Sequence, residues 1–402
     1  MACTDELELQ CDIHAQDGNP GEATPLVASS SAGFTRRNLL KTAAAGTLLA
    51  SAPFYVRNAF SSSGELNIMC WSGELPDDVM ADFTKATGIR VNRTPFSSNE
   101  ELINKLQATF GEGFDLVMPS FNRAPEFQFL ELLAPFDTNR LNMDAFLPSM
   151  LEASTELWTW EGELYHLPHL WGSEGLSWRS DKLELSYEEA SYGLLWDPRF
   201  DRQVQMRPVS GLLGLGLWLD ATGKLPTNRM LDSYKDEATM RKIYDELLAY
   251  AVAHKSQIKQ FWDSSDNAKS GYIENGCVIG QTWDGPALDL AKSNQPVKFI
   301  APQEGALAWI DGFSLTSAAR NIEQVYAFFD YISQSEVAGK IATGSSYNSS
   351  IKGAEAYVPE TDRALFSLSY PANALEKLWR YPSSPAWFIS ARNEYAEKFK
   401  VA

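Results

Sequence analysis

Strand and helix patterns alternate from the first apolar segment onward, and this alternation restricts the fold more than any other feature. Leu66 to Trp71 has the pattern of a buried strand, and Ile89 to Val91 and Phe114 to Met118 supply two more. A helical pattern from Asp77 to Gly88 separates the first two, and another begins at Ser98 with a capping-box sequence. Strands and helices that alternate at this spacing predict right-handed βαβ units and an α/β sheet.

The same alternation returns in the second half of the chain. Met230 to Ala253 predicts a long amphipathic helix and Ile322 to Ile332 another, whereas Cys277 to Trp283 and Val297 to Ile300 predict strands. Gly211 to Gly216 has three glycines, but it lacks the Gly-Lys-Ser/Thr ending of a phosphate loop. Apolar helix packing is the interpretation that we favour for this segment.

The first 60 residues predict a leader with a twin-arginine signal peptide. Arg36 and Arg37 precede the short, alanine-rich run from Thr42 to Ala52, which ends in an Ala-x-Ala pattern. The run is too short to span a bilayer, which needs roughly 20 apolar residues. The sequence therefore predicts export to the periplasm by the Tat translocase; a surface helix with two basic residues is the alternative, and Pro53 leaves the cleavage site open.

The composition argues against nucleic acid as a partner, and the length of the chain is enough for two domains. With 34 Lys+Arg against 52 Asp+Glu, the net charge is −18, so nucleic acid is not an expected ligand. A hydrophobic content of 44% supports a packed core, and the chain after the leader is long enough for two domains. Cys70 and Cys277 lie in strand patterns, which predicts buried free thiols rather than a disulfide or metal site.

Several short motifs occur in a fixed order along the chain. They are Trp71-Ser72-Gly73-Glu74-Leu75-Pro76, Asp115-Leu116-Val117-Met118-Pro119-Ser120, Tyr165-His166-Leu167-Pro168-His169-Leu170-Trp171-Gly172, Trp283-Asp284-Gly285, Trp309-Ile310-Asp311 and Tyr347. In these motifs the chain resembles the periplasmic solute-binding proteins of ABC importers, in particular a divergent member of the spermidine/putrescine-binding group.

The resemblance implies a two-lobed α/β fold of the Venus flytrap type, with a hinge and an interlobe cleft. Lobe one is expected to hold residues 65–170 plus 309–350, and lobe two residues 171–308 plus 351–402. The chain would cross between them near His169–Gly172 and near Trp309–Asp311. Pro168 separates His166 from His169, so a crossover strand is a better interpretation than a metal pair.

The resemblance also implies the ligand site. The expected ligand-binding residues are Trp71, Ser72, Glu74, Ser120, Phe121, Trp283, Asp284, Trp309, Asp311 and Tyr347. In such a site a carboxylate replaces the water around an ammonium group, and each aromatic face adds about 0.5–2 kcal/mol of cation–π attraction. Core packing is the alternative for each tryptophan, a strand-end cap for Asp311 and a turn role for Ser120.

The chain departs from the family pattern at three places. Gly73 stands where the family has an acid, although Glu74 follows, and Asn122 replaces an aromatic residue. The segment from Arg207 to Leu213, where the family has an acidic pair, contains no carboxylate. Glu74 or Asp284 could compensate. Otherwise the departure favours a ligand with one cationic end, or a different small molecule.

The function expected from the resemblance is binding without catalysis. We expect a monomeric periplasmic receptor that captures a small cationic amine or polyamine-like solute and delivers it to the membrane subunits of an ABC importer. No metal or cofactor is expected. The alternatives are the same receptor for a non-polyamine metabolite (an amino acid derivative, a betaine or an organic acid) and a Tat-exported enzyme.

Overall fold

The computed structural model describes residues 64–402. The predicted leader, with its twin-arginine signal, lies outside the described residues. Within residues 64–402, every helix is too short or too polar to cross a membrane.

The described chain alternates strands and helices. The strands are β1 (Glu65–Trp71), β2 (Arg90–Phe96), β3 (Leu116–Val117), β4 (Leu133–Ala134), β5 (Thr159–Trp160), β6 (Glu163–Leu164), β7 (Leu167–Arg179), β8 (Val204–Met206), β9 (Ile258–Phe261), β10 (Ile279–Trp283), β11 (Val297–Ile300), β12 (Leu307–Thr316), β13 (Asn348–Ser349) and β14 (Trp379–Arg380). The helices are α1 (Asp77–Thr87), α2 (Asn99–Thr109), α3 (Ala124–Leu130), α4 (Pro148–Trp158), α5 (Pro208–Ala221), α6 (Glu237–Ala253), α7 (Ser265–Ile273), α8 (Asp284–Lys292), α9 (Ile322–Ile332), α10 (Ser335–Ser345), α11 (Glu360–Ser369) and α12 (Ala386–Val401). Short 3₁₀ turns lie at Phe121–Arg123, Thr138–Arg140, Met143–Ala145, Tyr192–Trp196, Pro198–Phe200, Leu231–Tyr234, Lys255–Gln257 and Ala354–Tyr357.

Most of the described strands form one mixed sheet in the order β2-β1-β3-β12-β7-β10-β8-β9. β1 pairs in parallel with β2 and β3, and β12 is antiparallel to both β3 and β7. β4 and β14 add to β12, and β11 and β13 add to β7. The α/β class predicted from the alternation is therefore confirmed.

Two long strands run through two separate hydrophobic cores. β7 places Leu167 and Leu170 in the first core and Leu176 and Trp178 in the second. β12 runs the other way, from Leu307 in the second core to its last residues in the first. The fold thus has two α/β lobes joined by crossover strands. The exact residue boundaries of the lobes remain a prediction.

Local signals in the sequence placed several helix ends correctly. Ser98 Oγ accepts a hydrogen bond from Glu101 N at 3.1 Å, as the capping-box sequence predicts. Gly88 ends α1 with a φ of +79°, which a glycine adopts without strain. The glycines from Gly211 to Gly216 lie inside the buried helix α5, which confirms the packing interpretation.

Three predicted element boundaries were wrong. The helix expected from Met230 begins only at Glu237, because Asp236 caps it by accepting from Thr239 N at 2.8 Å. Residues 228–230 all have positive φ, so they cannot continue a helix backward. The strand expected at Phe114 to Met118 is reduced to Leu116–Val117, and the strand expected from Cys277 begins at Ile279, since only these residues pair with neighbouring strands.

Among the described residues, the predicted buried thiols and the predicted crossover strand at His169 are both present. Cys70 and Cys277 are buried free thiols. His169 lies in β7, and His166 Nδ1 lies 2.5 Å from Ser154 Oγ. Burial lowers the pKa of both histidines to about 3, so they are neutral. Within residues 64–402 no three metal-ligating side chains gather at one place.

Candidate functional site

A cavity of about 400 Å³ lies where the two cores meet, and most of the predicted site residues line it. It is walled by the ends of β1 and β10, the middle of β12 and the start of α5. The predicted residues that line it are Trp71, Ser72, Glu74, Ser120, Trp283, Trp309, Asp311 and Tyr347. Residues far apart in sequence therefore share one surface.

Phe121 and Asp284 lie behind the cavity wall instead. The Phe121 side chain is buried, and its carbonyl accepts a hydrogen bond from Trp158 Nε1 at 2.6 Å. Asp284 Oδ2 accepts from Tyr370 Oη at 2.7 Å and from the backbone N–H of Ser173 at 3.2 Å. Both groups already have protein partners that hold them away from the cavity.

The backbone around Asp311 directs its carboxyl group into the cavity. β12 has a register shift between Asp311 and Gly312, and Asp311 forms an isolated antiparallel bridge with Ser120. Asn99 Nδ2 donates to Ser120 Oγ at 2.9 Å, and Asn99 Oδ1 accepts from Ser120 N at 3.1 Å. Since Asn99 occupies an acceptor site of the hydroxyl, the Ser120 O–H is left to donate to Asp311.

Glu74 and Asp311 form a buried pair of carboxyl groups. Their side chains are only 3% and 5% exposed, and they hydrogen-bond to each other. Burial raises the pKa of Asp311 to about 7. Burial, and then the neighbouring Asp311 charge, raise the pKa of Glu74 well above its usual range. Two adjacent carboxyl groups do not both ionise easily, so the pair retains a proton at neutral pH.

Several polar atoms at this pair have no partner among residues 64–402. Glu74 Oε2 and Asp311 Oδ1 receive no hydrogen bond from an N–H or O–H group, and Trp309 Nε1 donates none. Trp71 Nε1 lies beside Asp311 without completing a hydrogen bond. A buried polar group without a partner costs about 1–3 kcal/mol, so such a cluster marks a place where a polar ligand is expected.

Aromatic rings form the walls next to the carboxyl pair. Trp71 meets Trp283 edge to face at 6.5 Å between ring centroids, and Trp309 meets Tyr347 in the same way at 4.8 Å. Gly172 in β7 makes room for Trp309, because a Cβ there would lie 2.5 Å from the indole ring. These rings can cover the methylene groups of a ligand and attract a cation.

The sequence did not reveal Glu174, which lines the cavity from β7. Its Oε1 accepts from Gln281 Nε2 at 3.0 Å, and burial raises its pKa to about 7. The family pattern has an acidic pair in the segment from Arg207 to Leu213, where this chain has no carboxylate, whereas the Glu174 carboxyl group comes from the crossover strand β7. One signal was available, since Glu174 is the one acidic residue in β7.

The cavity lies between two lobes, and unpartnered carboxyl oxygens and indole rings line it. This arrangement is typical of the class of proteins that enclose a small solute. The comparison with known families agrees with this class. Residues 78–366 match the family described as bacterial extracellular solute-binding protein, and the chain belongs to that family.

The individual relatives share less than a third of their residues with this chain. The chain is 25% identical over 342 residues to spermidine/putrescine-binding periplasmic protein 1 of Haemophilus influenzae, covering 83% of this chain and 88% of the relative. It is 28% identical over 333 residues to the putrescine-binding periplasmic protein PotF of Escherichia coli, covering 78% and 85%. The solved structure of the spermidine/putrescine ABC transporter substrate-binding protein PotD of Streptococcus pneumoniae has the same fold, with a TM-score of 0.66 and 22% identity over 84% of this chain and 98% of that one.

Proposed function

We propose that this protein is the extracytoplasmic receptor of an ABC importer and captures a small amine-bearing solute. The carboxyl pair of Glu74 and Asp311 carries the proposal, because its unpartnered oxygens can accept hydrogen bonds from an ammonium group. The relatives named as polyamine-binding proteins support the same ligand class.

In the proposed mechanism the ammonium group takes the place of the proton that Asp311 holds below a pH of about 7. Glu74 Oε2 and Asp311 Oδ1 accept from the ammonium, and Trp71 and Trp309 cover the adjacent methylene groups. Because the cavity wall includes residues from both cores, ligand contacts favour the closed arrangement of the lobes about β7 and β12. The membrane subunits of the importer would then recognise the closed form.

The proposal also covers the location, the oligomeric state and the lack of catalysis of the receptor. We propose that it acts as a monomer in the periplasm, without catalysis and without a metal or cofactor. Arg36 and Arg37 support export by the twin-arginine route. The periplasmic relatives support the location.

A ligand panel tests the proposal directly. Thermal unfolding is measured with putrescine, spermidine, n-butylamine, amino acids, betaine and amine-free organic acids, and each hit is confirmed by calorimetry. At a concentration of 100 times its Kd, a true ligand stabilises the protein by about 2.7 kcal/mol. We expect stabilisation only by compounds with a primary ammonium group. Stabilisation by betaine or an amine-free acid, with none by any primary amine, would contradict the proposal.

The pH dependence of binding follows from the raised pKa of Asp311. The carboxylate form binds the cation, and its fraction rises as the pH rises through about 7. Affinity for the tightest amine of the panel should therefore increase from pH 6 to pH 8, by up to about tenfold per pH unit below the pKa, and then level off. The amine itself stays protonated over this range. Calorimetry in buffers of different ionisation enthalpy should detect proton release, and a flat profile would exclude the proton-exchange mechanism.

A further inference from the structure

The cavity also has a positive end, which we define by Arg207 and the helix N-termini next to it. Arg207, the residue before α5, lines the cavity with its Cζ 5.2 Å from the ring centroid of Trp283 and 6.0 Å from that of Trp262. Trp283 contacts Trp71 in turn, and Trp71 lies beside Asp311. The Arg207 charge also reaches Asp311 and acts to lower the pKa of that carboxyl group, so both groups face the same space beside the indole rings.

Arg207 differs from the other cations that line the cavity. Arg123 and Arg392 both pair with Glu100 at 3.2 Å, and Lys269 makes two ion pairs at 3.1 Å. Within residues 64–402, no carboxylate lies within ion-pair distance of the Arg207 guanidinium. Its N–H donors are therefore free to meet a ligand.

Two helix N-termini lie at the same end of the cavity. α5 lines it through Val209 and Ser210, and α7 through Ser264 and Ser265. Helix N-termini carry partial positive charge and exposed N–H donors, and they favour anionic groups. Together with the unpaired guanidinium, they make this end suitable for an anion.

Two acidic side chains also line the positive end, and both have partners. Asp266 forms an ion pair with Lys269, and Glu174 accepts from Gln281. Neither occupies the donors of Arg207. A second ammonium group at this end would face the guanidinium, and only Glu174, whose pKa burial raises to about 7, could offset that like-charge contact.

We propose that the preferred ligand is a linear zwitterion, an aliphatic amine that ends in a carboxylate. Its ammonium group binds Glu74 and Asp311, its methylene chain lies along Trp71 and Trp283, and its carboxylate binds the Arg207 fork. A planar guanidinium is suited to this because it can donate two parallel hydrogen bonds to one carboxylate. The inference rests on the proposed amine receptor and specifies the other end of its ligand.

Matched ligand pairs and a charge reversal test the inference by calorimetry. The probes are 4-aminobutanoate, 5-aminopentanoate and 6-aminohexanoate, each compared with the diamine and the n-alkylamine of equal carbon number. In the native protein the best amino acid should bind at least tenfold more tightly than both matched amines. Arg207→Asp should reverse the preference in favour of the diamine by at least tenfold, while Arg207→Lys should retain preference for the amino acid. Arg202→Asp, an exposed charge reversal five residues away, should leave the ratio unchanged.

The outcomes separate this inference from the function on which it rests. A diamine that binds the native protein more tightly than its matched amino acid would overturn the inference and leave the amine receptor standing. An amino acid-to-diamine ratio that Arg207→Asp does not change would do the same. If that variant does not fold, Arg207→Gln should bring the ratio to within about threefold of unity, and an unchanged ratio overturns the inference. If no amine binds at all, the proposed function itself fails.

Discussion

Asp311→Asn should reduce the affinity for the amine ligand at least 100-fold. The change keeps the size of the side chain but removes the charge opposite the ammonium group. Truncating one partner of a buried, hydrogen-bonded charge pair costs about 2–5 kcal/mol, and 100-fold corresponds to about 2.8 kcal/mol. Titration calorimetry at pH 8, where the native carboxylate is ionised, gives the largest difference.

The same variant should fold at least as well as the native protein when no ligand is bound. Burial raises the pKa of Asp311 to about 7, so its charge opposes folding above that pH, whereas the amide that replaces it carries no charge. The unfolding temperature at pH 8 should therefore be unchanged or higher, which separates lost binding from misfolding. Asp201→Asn, on an exposed residue outside the cavity, serves as the matched control. An affinity within threefold of native would remove Asp311 from the site.

The fold was predictable because its signals are local. The alternation of apolar strands and helices is written in neighbouring residues, and caps such as Ser98 and Gly88 set helix ends through contacts within a few positions. The start of α6 was misplaced because apolar periodicity alone does not reveal that residues 228–230 adopt positive φ. Backbone conformation in such a turn depends on what packs against it.

The site was less predictable because its geometry depends on pairings between distant segments. Trp309 and Asp311 stand out as a motif, but the register shift after Asp311 and its bridge to Ser120 become visible only in the folded sheet. Glu174 and Arg207 belong to different elements, and no spacing rule joins them. The sequence shows that the acidic pair of the family is absent from residues 207–213. It does not show that the Arg207 guanidinium faces the cavity from this segment.

Asp115→Ala should destabilise the protein by at least about 3 kcal/mol, because Asp115 is a buried carboxylate that joins three segments of lobe one. Oδ2 accepts from Asn67 N at 2.9 Å and from Asn321 Nδ2 at 2.9 Å. Oδ1 accepts from Arg320 N and Asn321 N, both at 3.0 Å. Removing the carboxylate leaves these buried donors without their acceptor, and each such loss costs about 1–3 kcal/mol before water or rearrangement compensates.

The loss of stability in Asp115→Ala and the binding of ligand should be coupled through β12. The Asp115 carboxylate holds the loop that follows β12 against β1, and β12 carries Asp311. Chemical denaturation followed by tryptophan fluorescence should show a lower midpoint for Asp115→Ala, while Asp144→Ala, an exposed change among the 3₁₀ turns before α4, should change it little. Added amine should recover part of the lost stability, since binding favours the folded state, in which β3 pairs with β1 on one side and with β12 on the other. A midpoint equal to that of Asp144→Ala would mean that this network does not hold the strands of lobe one in place.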